Sequence, residues 1–339
     1  MKLIECVPNF SEGSDPKTLK DIKDAIISTP NVKLLSFEPD KDYNRLVVTM
    51  VGDENSILEG AINASIAAAA NIDMSKHKGN HPRLGAIDVV PFVPISNATV
   101  DDCIAISKKY AETISKKLNL PVYLYESAQD KPFRKNLADI RKGEYEGLEE
   151  KLKNPDWLPD FGSSEFNSKL GGTVTGCRFF LIAYNVNIKS ADLNYSKEIA
   201  ETIREIGKPK RDENGKLVKI NGETVRIPGK FKAVKAMGVP LEQYGITQVS
   251  INLVNYKITP MHVVFEEVKR LADEMGVEID GSEIVGLIPL EAMIEAGKYY
   301  SENDNLDERD LVNLAINKLG LSSLHPFNPE EKIIEYMIK

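Results

Sequence analysis

The densest group of side chains able to do chemistry is Ser75-Lys76-His77-Lys78-Gly79-Asn80-His81-Pro82-Arg83, two of the four histidines set among three basic residues. An imidazole titrates near pH 6.5, and neighbouring Lys and Arg charges push that value down, so a histidine here is suited to accept a proton rather than give one. Pro82 restricts His81 to extended backbone, which helps fix its direction. The plainer alternative is a solvated basic loop. His77 and His81 are four apart, the spacing of two metal ligands on a helix face. Gly79 and Pro82 break any helix, however, no Glu follows His77, and no Cys or third His is near, so no metal is expected. A second polar cluster is Glu38-Pro39-Asp40-Lys41-Asp42-Tyr43-Asn44-Arg45. A carboxylate there could orient a histidine, and Arg45 could hold a substrate carboxylate in a two-pronged grip, or the segment is a solvated turn.

Other candidates are weaker. Gly171-Gly172-Thr173-Val174-Thr175-Gly176 is followed by Cys177-Arg178 and leads into a strand, so it is not a phosphate-binding loop. No G-x-G-x-x-G opens a helix either. Residues 207–235 hold nine bases against three acids, a solvated hairpin or a landing strip for a multiply anionic ligand. Cys6 and Cys177 sit in apolar strand contexts as core thiols, Trp157 reads as a packing anchor, and His262 and His325 as structural or exposed.

The elements that must position these groups follow from periodicity. A strand is expected at 3–7, and a helix from Asp15-Pro16 to before Pro30. Strands follow at 32–37 and 46–51, then a helix at 56–71. A strand at 87–93 is expected near a sheet edge because of Pro91. A helix at 99–118 and a strand at 122–125 complete the first half. The core order, strand-helix-strand-strand-helix-strand, is the ferredoxin-like arrangement. A turn-rich connection spans 126–172. The order then restarts: strand 173–188, helix 190–206, a hairpin within 217–227 turning at Asn221-Gly222, strand 246–254, helix 260–275 and strand 277–288. Tail helices are expected at 290–300 and 307–319. The fold class is therefore α+β, an α/β sandwich of two tandem ferredoxin-like βαββαβ subdomains, at 1–178 and 179–339.

Composition is consistent with this. The chain has 339 residues, 42% hydrophobic and 28% charged, enough for two globular domains. Fifty-one acids against 43 bases leave a net charge of -8, which disfavours nucleic acid as a partner. No apolar run of about 18 residues could span a membrane. The N-terminus lacks the features of a signal peptide, and three scattered cysteines point to a reducing, cytoplasmic compartment.

Several longer stretches together resemble the formiminotransferase family, which includes the transferase half of the bifunctional formiminotransferase-cyclodeaminases and stand-alone microbial relatives. They are Glu5-Cys6-Val7-Pro8-Asn9-Phe10-Ser11-Glu12-Gly13, the run from Asp73-Met74 through His81-Pro82-Arg83 to Leu84-Gly85-Ala86, and Trp157-Leu158-Pro159-Asp160-Phe161-Gly162. Gly172-Thr173-Val174-Thr175-Gly176, Leu181-Ile182-Ala183-Tyr184-Asn185 and Ile284-Val285-Gly286-Leu287-Ile288-Pro289-Leu290 add to the likeness. The resemblance implies transfer of the formimino group from N-formimino-L-glutamate to N5 of tetrahydrofolate, a step of histidine degradation. Tetrahydrofolate is then a co-substrate, with or without a polyglutamate tail, and neither metal nor redox cofactor is required. It also implies a ligand groove between the subdomains, a homodimer, and a chain lacking the cyclodeaminase module. The family's general base falls on His81 and its supporting arginine on Arg45. Its supporting aspartate falls on Glu38, one methylene longer, with Asp40 as an alternative. Its folate-binding stretch falls on Gly162, Ser163, Ser164, Glu165, Phe166, Asn167, Ser168, Lys169, Leu170 and Gly171. Formyl transfer or 5-formyltetrahydrofolate salvage, and a non-catalytic folate-binding module, are the alternative functions.

Overall fold

The computed structural model describes residues 2–79, 81–303 and 305–338. The chain divides into two compact units, Met1–Phe179 and Phe180–Lys339.

The first unit begins with β1 (Leu3–Cys6) and β2 (Asn9–Phe10), then α1 (Pro16–Ile27), β3 (Lys33–Asp40), β4 (Arg45–Gly52) and α2 (Glu54–Asn71). It continues with β5 (Ile87–Ser96), α3 (Val100–Leu118), β6 (Val122–Glu126), the short helices α4 (Leu137–Arg141) and α5 (Leu148–Lys151), and β7 (Thr173–Cys177). Helix starts follow side-chain chemistry. Asp15 caps α1 by accepting from the Thr18 N–H, with Pro16 at the first helical position. Asp53 caps α2, which begins two residues before the expected start. Thr99 and Asp102 close a reciprocal capping box on α3, where Lys116 and Lys117 meet the negative helix end. In the sheet, β1 and β2 lie together between β4 and β5, β3 flanks β4, and β7 and β6 extend the far side in parallel. Helices α1 to α3 contribute to the larger core, with Ile22, Ile57 and Ile106 packing on Ile4, Phe10, Met50 and Phe92. A smaller core of Leu84, Val89, Tyr123, Ile140, Leu148 and Val174 lies under α4 and α5.

Two expectations for this unit need correction. The strand holding Pro91 is not near an edge: β5 has β1 and β2 on one side and β7 on the other. Proline lacks an N–H for the ladder, and the sheet accommodates this by breaking β1 from β2 at Val7-Pro8, opposite Pro91. Cys6 pairs Phe92 and Asn9 pairs Val89, with Val7 N–H donating to the Pro91 carbonyl at 3.2 Å. The expected strand 173–188 is two strands, β7 and β8 (Ile182–Ile188), which lie in different sheets. The apolar run continues across the boundary between units, so periodicity alone does not mark the break.

The second unit places β8 and α6 (Leu193–Ile203) before two small hairpin pairings: β9 (Lys208–Pro209) with β12 (Arg226–Ile227), and β10 (Lys219–Ile220) with β11 (Glu223–Thr224). Asn221 and Gly222 turn the inner hairpin with φ of 52° and 84°, as a type I′ turn requires. Next come β13 (Val234–Leu241), β14 (Ile246–Leu253), α7 (Met261–Glu274) and β15 (Ile279–Val285). Their sheet order is β13-β14-β8-β15. The helices α8 (Leu290–Tyr300), α9 (Glu308–Leu319), α10 (Pro329–Lys332) and α11 (Ile334–Met337) end the chain. Strand β13 was not expected: Lys235, Gly238 and Pro240 hide a strand that tolerates them because it has only one neighbour. Among the described residues no helix is long and apolar enough to cross a membrane.

Candidate active site

The first unit brings the turn between β3 and β4 against residues 77–79. Asp40 shapes that turn, its Oδ1 accepting from the Asp42 and Tyr43 N–H groups at 2.9 Å each. Asn44 adopts a positive φ of 49° and joins three segments. Its Oδ1 accepts from Gly13 N–H at 2.9 Å, its Nδ2 donates to the Lys78 carbonyl at 2.8 Å, and its own carbonyl receives His77 Nε2 at 3.2 Å. Since Nε2 must donate there, His77 Nδ1 is left to accept from Arg83 Nε at 3.4 Å. His77 is therefore a neutral structural imidazole, and burial holds it below the ordinary histidine value. The remaining guanidinium nitrogens of Arg83 grip Glu144 at 2.8 Å and Glu146 at 2.6 and 2.9 Å.

His81 differs from His77. It is half-buried, and among the described residues its ring has no hydrogen-bond partner. Burial, then the charges of Arg45, Arg141 and Arg83, pull it down to about 4. At neutral pH the ring is uncharged and both nitrogens are unengaged, the form a proton acceptor needs. Arg45, the first residue of β4, is half-buried, and its Nε is buried with no hydrogen-bond partner. Its guanidinium carbon lies 5.8 Å from the centre of the Tyr43 ring.

Glu38 is exposed on β3 opposite Val47 and accepts from Ser36 Oγ at 2.5 Å. The β4 residue Arg45 has Asp40, not Glu38, as its strand partner. The buried carboxylate in this region is Asp88 on β5, 1% exposed, which accepts from Leu84 N–H at 2.9 Å and pairs with Arg141. Burial raises the Asp88 carboxyl while Arg141 and Arg45 draw it down. Neither Asp88 nor Arg141 was singled out from the sequence. The signal for Asp88 is a lone acid inside the apolar run Ile87-Asp88-Val89-Val90. Arg141 has no comparable local signal.

Residues 162–171 lie beside the same loop. Gly85 and Gly171 form an antiparallel bridge, Ala86 N–H donates to the Leu170 carbonyl at 2.8 Å, and Gly172 N–H to the Leu84 carbonyl at 3.1 Å. A Cβ on Gly85 would meet the Leu170 and Gly172 carbonyl oxygens at 2.3 Å, so only glycine fits this crossing. Asn167 pins the stretch to the end of α3 through the Asn119 carbonyl at 3.0 Å, and Tyr145 donates to the Ser168 carbonyl at 2.6 Å. The Phe166 and Tyr145 rings lie 5.4 Å apart. Two of the cavities that adjoin the loop are lined by arginine side chains. One of ≈ 570 Å³ is lined by His77, Lys78, Gly79, Arg83, Glu144 and Glu146, among others. The other, of ≈ 280 Å³, is lined by Pro82, Ala138, Arg141, Lys142, Gly143 and Glu144.

The other candidates resolve as packing. Cys6, Cys103 and Cys177 are free and buried. Trp157 packs edge-on to Phe133 at 5.6 Å, and His262 is buried and stacked on Tyr299 at 4.5 Å. Among the described residues no three His, Cys, Asp or Glu side chains gather as a metal site.

The chain is 47% identical over 341 residues to a formimidoyltransferase-cyclodeaminase of Dictyostelium discoideum, covering 100% of this chain and 60% of that protein's length. It is 42% identical over 340 residues to the mouse protein of the same name, covering 99% of this chain and again 60% of the relative. It is 40% identical over 306 residues to a glutamate formimidoyltransferase of Streptococcus pyogenes serotype M1, covering 90% of this chain and 95% of the relative. Residues 3–178 match the formiminotransferase domain, N-terminal subdomain, and residues 183–339 match the formiminotransferase domain. With its loop histidine, its guanidiniums and the glycine crossing all in the first of these two matched regions, the chain belongs to the formiminotransferase family.

Proposed function

We propose that this chain is a glutamate formimidoyltransferase, moving the formimino group of N-formimino-L-glutamate to N5 of tetrahydrofolate. The observation that carries this is His81, a neutral imidazole with no hydrogen-bond partner among the described residues, on a loop cross-linked to residues 162–171. In the reaction N5 attacks the formimino carbon, forming a C–N bond, and the adduct's N5 must lose its proton. His81 accepts that proton and returns it to the glutamate nitrogen as the C–N bond to glutamate breaks. The formimino carbon ends on N5 with no change of oxidation state, so the chain's own residues need only bind, orient and carry one proton. Arg45 anchors a carboxylate of the donor. Residues 162–171, with the Phe166–Tyr145 pair, are the folate side of the site.

The element order and the strand orders of the two sheets support reading each half as a ferredoxin-like subdomain, divided near residues 178 and 179. Three buried, unpaired cysteines suit the cytoplasm. A homodimer rests on the resemblance alone. For the supporting carboxylate, Glu38 is exposed and Asp40 is committed to its turn. We therefore give Glu38 the lesser part, at most a long-range charge.

The deciding experiment incubates purified protein, treated with chelator, with N-formimino-L-glutamate and tetrahydrofolate. A parallel reaction contains the N-formyl donor. Formation of 5-formiminotetrahydrofolate is expected; turnover of the formyl donor alone, or folate binding with no turnover, overturns the assignment.

A further inference from the structure

Arg83 and Arg141 both bear on His81, but they are used differently. Arg83 has its Nε, Nη1 and Nη2 all engaged, by His77, Glu144 and Glu146. Arg141, the last residue of α4, gives its Nε (3.2 Å) and Nη2 to the Asp88 carboxylate, while its Nη1 has no partner among the described residues. The Arg141 side chain is 16% exposed and that of Asp88 2%. A buried pair of this kind contributes little stability beyond what apolar residues would give; its effect is to hold a charged fork in one orientation. Arg141 and Pro82 line the same ≈ 280 Å³ cavity, and Pro82 follows His81 directly. Arg45 adds a second guanidinium with an unpartnered buried Nε. Two cations with donors to spare therefore flank one neutral imidazole.

We propose that Arg141, held in place by Asp88, binds a carboxylate of the formimino donor through its remaining Nη1 edge, with Arg45 as the second anchor. The proposal rests on the formimidoyltransferase reading. Asp88 is then a positioning residue and Arg141 a specificity-determining one. A consequence follows for the base. The charged groups bearing on His81 are Arg45 from β4, Arg141 from α4 with Asp88 of β5 behind it, and Arg83 of its own loop, whose acids are Glu144 and Glu146. The neutral His77 adds no charge. A dicarboxylate on Arg45 and Arg141 offsets two of the three cations that disfavour protonated His81. The donor thereby offsets part of the charge that, after burial, lowers His81, so the base gains basicity when there is something to transfer.

The test uses Arg141→Met, Arg141→Lys and Asp88→Asn in the full chain, with His81→Gln to assign the imidazole signal by NMR. Loss of a charge-assisted contact should raise the KM for N-formimino-L-glutamate roughly 10- to 100-fold in Arg141→Met. Arg141→Lys, which keeps the charge but not the fork, should fall between it and wild type, with the KM for tetrahydrofolate nearly unchanged in both. Asp88→Asn should move the same way. Glutarate, a dicarboxylate with no group to transfer, should raise the His81 titration midpoint in wild type and not in Arg141→Met. If Arg141→Met does not fold, Arg141→Lys carries both measurements. An unchanged donor KM in the folded variants, or a glutarate shift as large as that of wild type in Arg141→Met (or in Arg141→Lys where the Met variant does not fold), overturns the proposal. A wild-type protein that shows the glutarate shift but no formimino transfer sinks the functional reading while leaving the anion subsite standing.

Discussion

An imidazole ringed by guanidiniums is hard to protonate, and that makes His81 testable in two ways. His81→Ala should lose about 10²-fold or more in turnover with folate affinity largely kept, measured as kcat against tetrahydrofolate binding. Near-normal turnover would remove the base assignment. The second test concerns folding. His81 is held at about 4 in the folded chain, against about 6.5 when unfolded. Between those values the unfolded chain binds the proton and the folded chain does not. The stability linked to this group is therefore present above about pH 6.5 and is lost as pH falls through about 4. Burial shifts His77 and His262 in the same direction. Melting temperatures followed from pH 7 to pH 4 should fall more steeply in wild type than in His81→Gln; parallel curves would refute the shift. The residues of this site were unevenly legible in the sequence. His81 and Arg45 stood in dense polar clusters, but Asp88 and Arg141 are 53 positions apart and meet only through β5 and α4. A pair made by the tertiary fold leaves no spacing to read.

Among the elements, the helices were the most legible, because capping side chains and apolar periodicity agree. The expected helix 290–300 matches α8, and the 99–118 helix differs from α3 only in that Thr99 is the cap. The strands were less so. Pro91 suggested an edge because the break between β1 and β2 that accommodates it cannot be foreseen from β5 itself. Strand β13 was hidden for the opposite reason, since an edge position tolerates Gly238 and Pro240. The glycine crossing gives a prediction at this scale. Gly85→Ala drives a methyl into two backbone carbonyl oxygens at 2.3 Å, neither of which can rotate away. It should cost about 2–3 kcal/mol in urea unfolding. It should also raise the KM for tetrahydrofolate, because the displaced partner is the 162–171 stretch. A variant as stable as wild type would show that the crossing yields easily.

For the whole molecule, the net charge of -8 conceals a basic segment in the second unit. Lys208, Lys230 and Lys232 of that segment are answered by Glu198, Glu267 and Glu205. Lys210, Lys216, Lys219 and Lys235 have no ion pair among the described residues. If these four meet a polyanionic folate tail, polyglutamylated tetrahydrofolate should have a lower KM than the monoglutamate at low salt, and the advantage should shrink as salt rises. Equal values for both forms across salt would return the segment to a solvated hairpin. Element order made two α/β units legible in the sequence, although no letter-level repeat links them. The break between β7 and β8 inside the expected strand 173–188 was not legible, because the apolar run crosses it. The role of Asn44 extends beyond its own turn. One asparagine ties Gly13, Lys78 and His77 together through protein groups alone, and Arg45 is the next residue in the chain, so its backbone position is set by those bonds. Calorimetry of binding should accordingly register contact formation with little accompanying loss of backbone entropy.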